Sequence, residues 1–102
     1  MKCPASICYL PLARQDLVDI FDYLACQNME AAKRLLDVID HRVSCLADFP
    51  CSGVVPKDPR LKMLGYRMLI IENYLIFYTL PDDTTVEIRR VLHGSRNYSF
   101  LL

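Results

Sequence analysis

Between Arg89 and Tyr98 the chain gathers three arginines, a histidine and a tyrosine within ten residues, directly behind an apolar strand pattern. Arginine presents a planar fork of donors that stays charged and matches phosphate or carboxylate oxygens. Histidine exchanges a proton near neutral pH, and tyrosine stacks on a base or donates its hydroxyl. Such a set at a strand end suits the holding of an anion. The plainer alternative is a solvated chain end whose charges serve solubility.

The elements that position this cluster can be read from the apolar spacing. Ser6 to Leu10 is a short β-prone run closed by Pro11, which fits the first turn of a helix. Ala13, Leu17, Ile20, Phe21 and Leu24 then make an amphipathic helix. Asp16, Asp19 and Asp22 fall on its other side and read as a solvated acidic face, with Asp16 helped by the helix N-terminus. A break at Ala25-Cys26-Gln27 precedes Asn28, a good N-cap for a second helix with an apolar stripe from Ala32 to Leu46. That segment stops at Phe49-Pro50. Residues 50–62 hold three of the six prolines, Pro50, Pro56 and Pro59, together with Gly53, and read as one long irregular connection.

Two β-rich runs, Tyr66–Ile71 and Tyr74–Leu80, flank Glu72-Asn73 as a hairpin. Pro81-Asp82-Asp83-Thr84 is a second turn, and Thr85–Leu92 is the last strand. There Val86 and Ile88 share a face, and period-two geometry carries Arg90 onto it. Either a bulge rotates Arg90 away or it lines the rim of a cleft with an anionic partner, since burial unpaired costs several kcal/mol. The expected fold is α+β: an N-terminal strand, then a helical hairpin packed on one face of a small antiparallel sheet with a three-stranded C-terminal meander. The opposite sheet face is expected to work or to be covered by another chain.

Size and composition bound the function. A chain of 102 residues makes one domain, 1–102, and 53% hydrophobic against 24% charged residues excludes disorder. No apolar run reaches the ~20 residues of a membrane span, and Met1-Lys2-Cys3-Pro4 lacks the apolar core of a signal peptide. The five cysteines are scattered, with no CxxC pair, so neither a zinc site nor a disulfide framework is expected. Cys26 and Cys45 are read as small core hydrophobes, and a reducing cytoplasm fits. Net charge is zero, split as −2 over residues 1–59 and +2 over residues 60–102, too weak for strong nonspecific nucleic-acid binding.

The order of these segments resembles the RelE/ParE superfamily of bacterial toxins. The matching stretches are Leu12-Ala13-Arg14-Gln15-Asp16-Leu17 with Ile20 and Tyr23, Ala31-Ala32, and Leu46 to Phe49-Pro50 with Gly53. They continue through Gly65-Tyr66-Arg67-Met68-Leu69, Tyr74–Tyr78 and the segment around Arg90-Val91-Leu92-His93-Gly94, covering nearly the whole chain. The resemblance implies a RelE-like toxin held inactive by a cognate antitoxin. RelE-like members cut mRNA in the ribosomal A site, and ParE-like members inhibit DNA gyrase without chemistry of their own. On the first reading Arg67 binds the scissile phosphate and Arg90 and Arg96 support it. His93 then serves as acid or base, and Tyr98 stacks on a base or helps transfer a proton. No metal or cofactor is implied. Two departures weaken the nuclease reading: residues 50–66 offer only Asp58 where some nuclease members carry a glutamate base, and the chain is neutral. Ribosome-dependent mRNA cleavage still leads, because His93, Tyr98 and the arginines supply a usable set, with a ParE-like gyrase inhibitor as the alternative. A non-toxic remnant that still binds an antitoxin is the third reading.

Overall fold

Pro11 opens the first helix, α1 (Pro11–Gln27), where its missing N–H needs no partner. The computed structural model describes residues 4–94 and residue 102. Helix α1 runs through Ala25-Cys26-Gln27 without the expected break, because Asn28 alone makes the turn. Its backbone is extended, with φ −160° and ψ 106°, and its N–H still donates to the Leu24 carbonyl. Its side chain accepts from the Ala31 N–H at 3.2 Å, which starts α2 (Met29–Ser44). A 3₁₀ turn, Cys45–Ala47, then ends the helix a few residues before Phe49-Pro50. Within the stretch expected to be irregular, the Asp58 carboxylate caps a short helix, α3 (Pro59–Met63), by accepting from the Arg60 N–H. Five residues are too few for an apolar period to show, although Asp-Pro is a helix-start signal.

The expected fold is present. Strand β1 (Ser6–Tyr9) is followed by the helices and then by β2 (Arg67–Ile71), β3 (Tyr74–Asp82) and β4 (Thr85–His93). The strand order is β1-β4-β3-β2, and β1 lies parallel to β4, so the sheet is mixed. The helical hairpin between β1 and the meander supplies the long crossover that parallel pairing requires. Glu72, at φ 54°, turns the β2–β3 hairpin, and its carboxylate takes a two-pronged bond from Arg34 of α2. Pro81 and Asp82 belong to β3, so the second turn narrows to Asp83-Thr84.

Both sheet faces carry apolar clusters. On one face Leu35, Ile39 and Val43 of α2 and Ala13 of α1 pack with Leu69, Ile71, Ile76, Tyr78, Val86, Ile88 and Val91. On the other, Leu61 of α3 packs with Tyr66, Phe77 and Leu92, so this chain covers part of that face itself. Helix α1 fully buries only Ala13 and leaves Leu12, Val18 and Tyr23 exposed. Cys26 and Cys45, expected in the core, are exposed free thiols, because they lie on the outward sides of their helices. No helix among the described residues is long and apolar enough to cross a membrane.

Strand β4 has a bulge. Phe77 pairs with Arg90 and Tyr78 with Ile88, which leaves Arg89 as the extra residue. Ile88 and Val91, three apart, therefore both join the helix-side cluster, while Leu92 joins Phe77 on the other face.

Candidate functional site

Of the two expectations for Arg90, the bulge is what the strand adopts, and the anionic partner comes from within the chain. The Arg90 guanidinium donates through Nε to Asp16 Oδ2 at 2.7 Å and through a terminal nitrogen to Oδ1 at 3.0 Å. The Val91 N–H donates to Oδ2 of the same carboxylate at 3.0 Å. The two side chains are only 15% and 14% exposed, so the pair is largely removed from water. These bonds to Asp16 are the main reason the Arg90 guanidinium binds its proton more tightly than usual. Asp16, expected on a solvated face beside the helix N-terminus, instead lies in the second turn of α1 and closes the edge of β4 beyond the end of β1. The extra residue, Arg89, turns to Tyr66: its Nε donates to the Tyr66 hydroxyl at 3.1 Å and its guanidinium carbon sits 5.7 Å from the ring centre.

Arg67 opens β2 and faces the loop that follows α2. One terminal nitrogen donates to the carbonyls of Cys51 and Gly53, both at 3.1 Å. The buried Tyr78 hydroxyl donates to the Pro50 carbonyl at 2.8 Å and accepts from the Gly53 N–H at 2.9 Å. Burial pushes the Tyr78 phenol above its ordinary pKa, and the Gly53 N–H and the Arg67 charge partly oppose that rise. Gly53 is required here, because a Cβ would lie 2.4 Å from the Tyr78 oxygen and 2.9 Å from the Met68 carbonyl. The backbone of residues 50–54 is thus clamped by two side chains and by a bridge from Val54 to Met68.

His93, at the end of β4, stacks edge-on against Tyr74, with ring centres 5.4 Å apart and planes at 82°. Both rings line a hollow of about 550 Å³ between α1 and β4, together with Asp16, Asp19 and Tyr23. Burial first, then the neighbouring Tyr23 and Glu72, raise the Tyr74 pKa. The hollow brings His93 close to the Asp16–Arg90 pair, and Arg67 is not among its lining residues. Arg67 pairs with Tyr78 and His93 with Tyr74, on opposite flanks of β3. Four residues of strand separate them, about 13 Å. Arg96 and Tyr98 lie outside the described residues. Among those described, no three His, Cys, Asp or Glu side chains converge as a metal ion requires.

Sequence reasoning passed over Asp16, Tyr23, Tyr74 and Tyr78 as site residues. For Asp16 a signal existed: Arg90 demanded an anion, and Asp16 is an acidic residue on the helix next to β4. Tyr78 gave none, since its hydroxyl meets residues 28 and 25 positions away.

The fold is similar to solved toxin–antitoxin structures. One is a chain of the chromosomal ParDE system from P. aeruginosa, at 21% identity and a TM-score of 0.69, over 87% of this chain and 95% of that one. Another belongs to the RelBE2 toxin–antitoxin complex from Mycobacterium tuberculosis, at 23% identity and a TM-score of 0.63, over 88% and 98% respectively. No curated protein sequence matches the chain. Residues 7–98 match the family described as the ParE toxin of the type II toxin–antitoxin system parDE, and the chain belongs to that family.

Proposed function

We propose that this toxin acts by docking on its target, as a ParE-like inhibitor of DNA gyrase, and that it performs no chemistry of its own. The observation that carries this reading is the engagement of Arg67 and Arg90. Arg90 is bound through two nitrogens to Asp16, and Arg67 holds two backbone carbonyls on the far flank of β3. Cleaving RNA needs cations and a proton carrier converging on one phosphate. His93 instead shares its hollow with the Asp16 carboxylate, matched by Arg90, and the Asp19 carboxylate, whose charge disfavours phosphate. The name of the matched family points the same way.

A cognate antitoxin is the proposed partner. Two similar structures come from toxin–antitoxin systems, and the exposed Leu12, Val18 and Tyr23 of α1 offer apolar surface to a polypeptide. The deciding experiment expresses the chain without an antitoxin and compares plasmid supercoiling with RNA ends on ribosomes. Relaxed plasmids and a DNA-damage response with intact messages support docking on gyrase. Messages cut within ribosomes, with cutting lost in Arg67→Ala or His93→Ala, return the nuclease reading. Normal growth of cells that contain the folded chain returns the antitoxin-binding remnant.

A further inference from the structure

The hollow beside His93 has the chemistry of a cation acceptor. Among the described residues its charged lining consists of the Asp16 and Asp19 carboxylates, and its flat walls are Tyr23, Tyr74 and the His93 imidazole. The Asp16 charge is matched by Arg90, and Glu72, close enough to raise the Tyr74 pKa, is matched by Arg34. Asp19 is then the surplus charge, exposed and contacted by the neutral Gln15 amide at 2.9 Å. The Tyr23 ring, 65% exposed, stands in solvent on the same side of α1, one turn further on. The perpendicular Tyr74 and His93 rings close the opposite wall.

We infer that the hollow between α1 and β4 receives an arginine side chain presented by a partner polypeptide. A guanidinium is planar, so it can lie on an aromatic face while its nitrogens fork onto the Asp19 carboxylate. Lysine, a compact and strongly hydrated charge, uses the ring faces less well. The volume of about 550 Å³ admits a whole arginine side chain with water around it. A phosphate meets net negative charge there. The assignment goes beyond the choice of target, since it concerns which side chain a partner brings and not which partner is inhibited.

Titration of the full chain with the peptide Ac-Gly-Arg-Gly-NH2, followed by NMR at His93, Tyr74 and Tyr23, tests it. The arginine peptide moves these resonances saturably, the matching glutamate peptide and inorganic phosphate do not, and the lysine peptide binds more weakly. Asp19→Asn and Tyr23→Ala each weaken arginine binding by about fivefold or more. Both positions are exposed, so the fold is retained, and Asp19→Glu keeps binding close to the wild-type level. Phosphate shifting His93, lysine binding as tightly as arginine, or arginine binding untouched by both variants overturns the assignment. The readout is binding alone, so it stands apart from the outcome of the gyrase and ribosome assays.

Discussion

Asp16 and Arg90 lie 74 positions apart, yet they make the best-formed ion pair of the described residues. Removing one partner of a part-buried pair leaves the other without its counter-charge, which is the expensive event. The two removals differ here. Arg90→Ala leaves a carboxylate that still accepts from the Val91 N–H, whereas Asp16→Ala takes away the acceptor of both the guanidinium and an edge N–H. Urea denaturation is expected to show Asp16→Ala destabilised by about 3 kcal/mol and Arg90→Ala by about 2 kcal/mol. Equal losses would remove the edge-closing role assigned to Asp16. Tyr9 carries a second prediction. Burial first, and the Asp40 carboxylate second, push its phenol up to about 12. The unfolded chain ionises at its ordinary value near 10, so this stability is complete below pH 10 and is lost as pH rises toward 12. Urea midpoints between about pH 9 and pH 11.5 should fall more steeply for wild type than for Tyr9→Phe, by about 2 kcal/mol in all. Parallel declines count against it.

At the scale of elements, the loop after α2 is held by Tyr78 and Arg67, and Gly53 is the position where space runs out. Gly53→Ala drives a methyl into the Tyr78 hydroxyl and ring edge and into the Met68 carbonyl. A loss of about 3 kcal/mol is expected from overpacking plus a displaced buried hydrogen bond. Adding Tyr78→Phe removes only the oxygen, so calorimetry should show a partial rescue and a non-additive cycle. Full additivity would mean that the loop moves aside freely. The elements themselves were largely legible in the amino-acid pattern. The β2–β3 hairpin shows because two apolar runs flank Glu72-Asn73, and the helices because their stripes repeat. The end of α1 was misplaced because Ala25-Cys26-Gln27 carries no breaker, and one cap residue, Asn28, makes the turn alone. At Arg90 the spacing posed the right dilemma without solving it. A bulge is decided by which neighbours β4 meets, and Asp16 comes from another part of the chain.

For the whole molecule, the uneven burial of α1 is the property with the widest effect. The helix covers the sheet with one side and presents Leu12, Val18 and Tyr23 to water with the other. A chain with such a surface is expected to self-associate when purified without a partner. Leu12→Glu with Val18→Glu should lower the weight-average mass in sedimentation while leaving the melting temperature within about 2 °C, since neither side chain lies in the core. Unchanged association would place the sticky surface elsewhere. The candidate cluster was legible only as a list of residue types. Whether those side chains meet depends on which flank of β3 each occupies, and no local spacing encodes that.

The extra residue at Arg89 acts as a phase shift along β4. Positions up to Ile88 alternate in one phase and positions from Arg90 onward in the other. Deleting a single residue there would exchange Val91 and Leu92 between the two layers, carry His93 away from Tyr74, and separate Arg90 from its carboxylate in one step. The count of residues between Ile88 and Val91 is therefore held more tightly than the identity of any residue within it, and this short span should tolerate substitution far better than a change in length.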